Sequence, residues 1–181
     1  SKDAENMATV LGQAGRQLFG KDSVFVHLLT TDPGKTQPAR ANIKAAFDAV
    51  AARAKAEDIF VVYFSGHGTN YGEAEKALFY FLTMETRSFD LSDPFVRANN
   101  AIASDSLTHW INLVPAQKQV LIVDACNSGK LSDNILRAGS KSLSASQIRA
   151  MERMKDRTGM FVLSSSTADQ KSWEDAGFRQ S

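Results

Sequence analysis

The sequence predicts an α/β domain with a mostly parallel sheet and helices on both faces. Three observations carry this. Two continuous apolar runs, residues 58–64 and 119–125, each stop abruptly at a small, polar, glycine-containing stretch, as buried strands of a parallel sheet do. Segments with apolar residues at three- and four-residue steps lie between and around those runs. Strand alternating with helix is the pattern of crossover connections.

Residues 2–19 place Ala4, Met7, Ala8, Leu11 and Leu18 on one helical face, closed by Gly20. Residues 23–30 are rich in β-branched and aromatic side chains and read as a strand. Asp32-Pro33-Gly34 turns the chain. Residues 39–57 carry Ile43, Ala46, Phe47 and Val50 at helical spacing. The strand at 58–64 ends in Ser65-Gly66-His67-Gly68, and a polar, glycine-containing stretch follows to Lys76. Residues 78–83 read as a short strand, part of a hairpin beside the main sheet. Residues 85–100 lack periodicity and read as a loop. Ser104 or Asp105 caps a helix through Leu113, which Pro115 ends. Beyond the strand at 119–125, residues 130–144 form a polar linker, Ser144 or Ser146 caps a helix reaching Arg157, and residues 160–163 start a last strand. The tail from Ala168 is polar. A helix comes first and none follows the last strand, so the chain reads as an internal piece of a larger domain, with its first strand and its C-terminal end missing.

At 181 residues the chain makes one domain with a real core. Its net charge of +1 gives no electrostatic case for nucleic acid or a membrane surface, and no apolar run approaches the roughly 20 residues of a membrane span. Neither partner is expected. The single cysteine, Cys126, makes no internal disulfide. That fits a reducing, cytoplasmic compartment and leaves a thiol to explain.

Gly66-His67-Gly68 and Asp124-Ala125-Cys126 stand at two strand ends, where open α/β sheets place their sites. Attack of a thiolate on a carbonyl needs a base, a proton donor for the leaving group and N–H groups for the oxyanion. His67 can supply the first two. The amides of Gly68 and Cys126 can supply the third, glycine allowing the backbone to approach a substrate closely. Each residue taken singly has a plainer explanation. A lone cysteine is commonly a buried packing residue, His67 a turn histidine, Asp124 a turn acceptor, and Asp3 a charge suited to a helix N-terminus. The pairing of thiol and imidazole on strand ends favours chemistry.

Cys126 follows His67 by 59 residues. Phe64-Ser65-Gly66-His67-Gly68 and Asp124-Ala125-Cys126-Asn127-Ser128-Gly129 together resemble the caspase-like cysteine peptidases of the metacaspase and bacterial orthocaspase branch. Asp3-Ala4-Glu5-Asn6-Met7-Ala8 resembles the family's opening helix, and Ser164-Ser165-Ser166-Thr167-Ala168-Asp169-Gln170 the segment after its fifth strand, so the likeness covers nearly the whole chain. The resemblance implies the caspase-like (haemoglobinase) three-layer sandwich, with residues 1–129 as a p20-like part, 130–157 as linker and helix, and 158–181 as the start of a p10-like part.

The same resemblance implies a His67–Cys126 dyad with oxyanion donors at Gly68 and Cys126. An acid at position 124, where true caspases carry Gln, implies cleavage after Arg or Lys, with Asp3 and Asp124 in the S1 pocket and Ser165 and Asp169 beside them. A guanidinium pairs well with carboxylate, which fits. No third catalytic residue is assigned; a backbone carbonyl would orient the imidazole. The implied partners are a protein or peptide substrate and the remaining part of the protein's own chain after self-processing within 130–155. No cofactor or metal is expected. Calcium activates some family members, yet Asp90, Asp93 and Asp105 lack a ligand spacing. Two alternatives stay open: a catalytically silent caspase-like scaffold, and a legumain- or gingipain-like thiol peptidase with a similar dyad.

Overall fold

The structure, a computed structural model, describes residues 2–73, 76–88, 90–127, 140–141, 145–164 and 172–173. Its centre is a five-stranded sheet of β1 (Ile59–Tyr71), β2 (Leu78–Leu82), β3 (Ala101–Ala103), β4 (Lys118–Asn127) and β6 (Phe161–Ser164), in the order β3-β2-β1-β4-β6. β1, β4 and β6 pair in parallel, while β2 is antiparallel to both β1 and β3, so four of the five strands run the same way. Two further short strands, β5 (Ser140–Lys141) and β7 (Ser172–Trp173), pair with each other. The helices are α1 (Lys2–Phe19), α2 (Arg40–Arg53), α3 (Pro94–Asn99), α4 (Ser104–Asn112) and α5 (Ala145–Thr158).

Strand alternation sorts β1 between two faces. Phe60, Val62 and Phe64 point into the main core, together with Leu121 and Val123 of β4. Phe47 of α2, Leu107, Trp110 and Ile111 of α4, and Met151 and Met154 of α5 close that core from above. Phe47 stands edge-on to Phe60 at 5.9 Å and tilted to Trp110 at 5.8 Å. Burying each such side chain is worth about 1.5–3 kcal/mol, so this layer holds the sheet centre in place. The connection from α4 into β4 is pinned by Gln119, whose side-chain amide donates to the carbonyls of Val114 at 3.0 Å and Ala116 at 2.9 Å. The other face of β1, which carries Tyr63, meets α1.

Four local expectations are corrected. Residues 23–30 are not a strand: a short 3-10 helix spans Lys21–Ser23, and the following residues take no place in either sheet. Val24 has extended dihedrals, as its β-branch favours, but a strand also needs a ladder neighbour. Phe25 instead lies 56 % exposed, with the Arg53 guanidinium 3.3 Å from its ring centre. Second, the strand expected to end at Phe64 does not stop at Ser65-Gly66-His67-Gly68. β1 continues through it to Tyr71, and its last four residues pair with β2. Third, the loop expected over 85–100 contains α3, whose N-cap Asp93 accepts a 2.8 Å hydrogen bond from the Phe95 amide and is followed by Pro94 at the first helical position. Fourth, α4 begins at Ser104 behind Ala103 with no side-chain cap. Asp105 pairs with Arg157 of α5 at 2.7 Å. The linker at 130–144 lies outside the described residues apart from β5, and so does the tail apart from β7.

Candidate active site

Neighbouring parallel strands bring the two sequence motifs together. The β1–β4 ladder sets Tyr63 against Ile122, Ser65 against Asp124, His67 against Cys126, and Gly68 against Asn127. Paired residues in a parallel ladder share a face and an end of the sheet. His67 and Cys126 therefore occupy one rung next to the last of the β1–β4 ladder, at the carboxyl end of β4, although 59 residues separate them in sequence. His67 is exposed, as a base that must reach a substrate has to be. The described geometry of Cys126 is its backbone in β4.

Gly68 is buried and has cross-strand partners on both sides, Phe81 of β2 and Asn127 of β4. The direction that a side chain would take there leads into the core. A Cβ on Gly68 would lie 2.0 Å from Cζ of Phe79 and under 3 Å from both Cε atoms. The glycine thus makes room for a core ring, which differs from the expectation that it makes room for substrate.

Two residues before Cys126 on β4 and four before His67 on β1, a cleft of about 300 Å³ opens between α1 and the sheet. Asp3, Asn6, Met7 and Val10 of α1, Tyr63 of β1 and Asp124 of β4 line it. The α1 residues follow the i, i+3, i+4, i+7 spacing of one helix face. Of the described lining residues two are acidic and none is basic. Asp3 stands in the first turn of α1, where the helix dipole favours a negative charge. Asp124 is half-buried, opposite Ser65. Met7, Val10 and the Tyr63 ring give the cleft apolar walls that suit a methylene stem.

The structure thus brings Asp3 and Asp124 to one cleft beside the His67–Cys126 rung. Ser165 and Asp169 lie outside the described residues. Asn6, Met7, Val10 and Tyr63 were not singled out in the sequence as site residues. The helical spacing from Asp3 could have indicated the first three; Tyr63 needed the strand register. Among the described residues no group of three or more His, Cys, Asp or Glu side chains is placed to hold a metal ion. No described helix is long and apolar enough to cross a membrane.

Comparison with known proteins defines the class. The caspase domain, peptidase family C14, matches residues 1–179, and the chain belongs to that family of cysteine peptidases. It is 32% identical over 117 residues to metacaspase-7 of Arabidopsis thaliana, and equally to metacaspase-4 of the same plant. Each alignment covers 64% of this chain, and the chain spans only 27% and 26% of those relatives. A crystal structure of a Geobacter sulfurreducens protein superposes with a TM-score of 0.58 at 17% identity, covering 96% of this chain and 66% of that one, and shares the fold.

Proposed function

We propose that this protein is a cysteine endopeptidase that cleaves after Arg or Lys, with Cys126 as nucleophile and His67 as general base and then general acid. The observation that carries the proposal is the shared rung of His67 and Cys126 beside a cleft with carboxylates from two elements. In the first step His67 takes the thiol proton and the sulfur attacks the carbonyl carbon of the scissile bond. The Gly68 and Cys126 amides hold the resulting oxyanion. As the tetrahedral intermediate collapses, the imidazolium donates its proton to the departing amine, leaving a thioester. Water, deprotonated by His67, then releases the acid and restores the thiol.

The P1 side chain lies in the cleft, its stem along Met7 and Val10 and its cationic head between Asp3 and Asp124. A charge-assisted hydrogen bond is worth about 1.5–3 kcal/mol, enough to select a base over a neutral or acidic residue. Lys130, Arg137, Lys141, Arg149, Arg153 and Lys155 make the 130–155 region a candidate for cleavage by the same activity.

The test is hydrolysis of fluorogenic peptides ending in Arg, Lys or Asp, by the wild-type protein and by Cys126→Ala. Turnover of Arg and Lys peptides by the wild type alone is expected. Preference for Asp would overturn the pocket assignment. No turnover of any peptide would favour a silent scaffold. Intact masses of the two proteins after expression test self-processing: identical full-length masses would remove it.

A further inference from the structure

β1 carries its reactive residue on one face and rests on aromatic rings with the other. Phe64, Phe79 and Phe81 form a continuous stack on the core side: Phe64 meets Phe81 at 4.8 Å, and Phe79 stands edge-on to Phe81, also at 4.8 Å. Phe79 has no exposed surface, and Phe81 has 4 %. Cζ of Phe79 lies 2.0 Å, and its two Cε atoms 2.7 and 2.8 Å, from where a Cβ of Gly68 would be, so the ring tip occupies the place of that side chain. Gly66, two residues earlier on the same face, meets nothing within 4 Å. The close approach is therefore specific to position 68, the residue that follows His67.

Phe79 is itself held. It lies two residues after Ala77, whose carbonyl accepts a 2.7 Å hydrogen bond from the Arg153 guanidinium of α5. It is also registered against Asn70 in the β1–β2 ladder.

We propose that Phe79 is a positioning residue for the active site, its ring tip setting the height of the β1 backbone at His67–Gly68. This rests on the dyad reading given above. A fully buried ring in a close-packed interior has little room to yield, so the strand segment above it is held at one level. The imidazole and the Gly68 amide take their distance from Cys126 and from the substrate carbonyl from that level. Displacements of about 1 Å cost up to about 100-fold in rate. Position 68 is then glycine because of Phe79, not because substrate passes there.

The experiment is a double-mutant cycle on the full chain: wild type, Gly68→Ala, Phe79→Leu and the double variant. Leucine ends at Cδ and lacks the Cε and Cζ atoms that the new methyl would strike. Three quantities are read: kcat and KM on an Arg peptide, thermal midpoint, and the pH dependence of iodoacetamide alkylation. Cys126 is the only thiol in the chain, so alkylation reports its coupling to His67 directly.

Expected are a loss of about 100-fold in kcat for Gly68→Ala with KM little changed, recovery of at least about tenfold in the double variant, and a displaced alkylation midpoint in Phe79→Leu. A double variant as inactive as Gly68→Ala, but with its thermal midpoint restored, would overturn the proposal, because the loss would then not come from the clash with Phe79. An unchanged alkylation midpoint in Phe79→Leu despite a lowered thermal midpoint would also overturn it, reducing Phe79 to packing alone. Absence of wild-type turnover together with a displaced alkylation midpoint would sink the peptidase reading and uphold the positioning role.

Discussion

His67 and Cys126 are register partners in the parallel ladder of β1 and β4. Imidazole and thiol are thus carried by the two central strands of the sheet, with Phe60, Val62, Leu121 and Val123 packed beneath them. A site on such rigid strands depends little on loop movement for its basic geometry.

If the two groups act as a unit, their removal is strongly non-additive. Cys126→Ala and His67→Ala are each expected to lower kcat by about 10⁴-fold or more, and the double variant by no more than either. Steady-state kinetics on an Arg peptide checks this. A His67→Ala enzyme retaining a tenth of wild-type turnover would remove the imidazole from the mechanism.

The acidic cleft makes a separate prediction. Asp124→Asn keeps the shape of the side chain and removes its charge, so kcat/KM for Arg peptides should fall by about 10- to 100-fold. Asp3→Asn, at an exposed helix start, should lose less. Inhibition by a small guanidinium such as benzamidine should weaken in parallel. Unchanged benzamidine affinity in both variants would place the P1 pocket elsewhere.

Leu121 tests the support under the rung. It is fully buried in the middle of β4, and Leu121→Ala should cost about 2–5 kcal/mol of unfolding free energy. Leu113→Ala, at a position 50 % exposed, should stay within about 0.5 kcal/mol of wild type. Urea denaturation distinguishes the two, and equal losses would contradict the core as described.

Asp90 supplies a pH prediction in the approach to α3. The Ser92 amide donates to its carboxylate at 2.8 Å, and this bond, helped by the Ser92 side chain, holds its pKa below the ordinary value of 3.8. A carboxyl with a depressed folded pKa stabilises the fold above its unfolded pKa, and that contribution disappears as pH falls through the folded value. Loosening of residues 90–93 is therefore expected only below pH 3.8. An NMR titration placing Asp90 at or above its ordinary value would refute the hydrogen bond.

Much of the architecture was legible because periodicity and burial agree. α1 spans the predicted 2–19, and the apolar run at 119–125 lies within β4. Three failures have physical causes. Residues 23–30 have β propensity, but propensity supplies extended backbone and not a neighbour to pair with. The glycines at 66 and 68 resemble turn signals, yet the chain stays extended, because Gly68 answers a ring 11 positions further on. α3 is too short to show a period, and only Asp93-Pro94 announces it. In the candidate site the two motifs that meet on one rung could be read from the sequence, whereas the cleft walls required knowing which α1 face meets which side of β1.

The β1–β4 pairing also has a consequence in time. Its rungs join residues 59 positions apart, and such long-range ladders close late and slowly in folding. A nascent chain that has emerged from the ribosome only as far as β3 already holds His67, and even Phe79, but has no thiol and no second strand to set against the imidazole. If the dyad acts as proposed, competence arrives in one step, when β4 closes against β1. On that reading an unfinished copy holds an imidazole without its thiol and has no means of attacking a peptide bond.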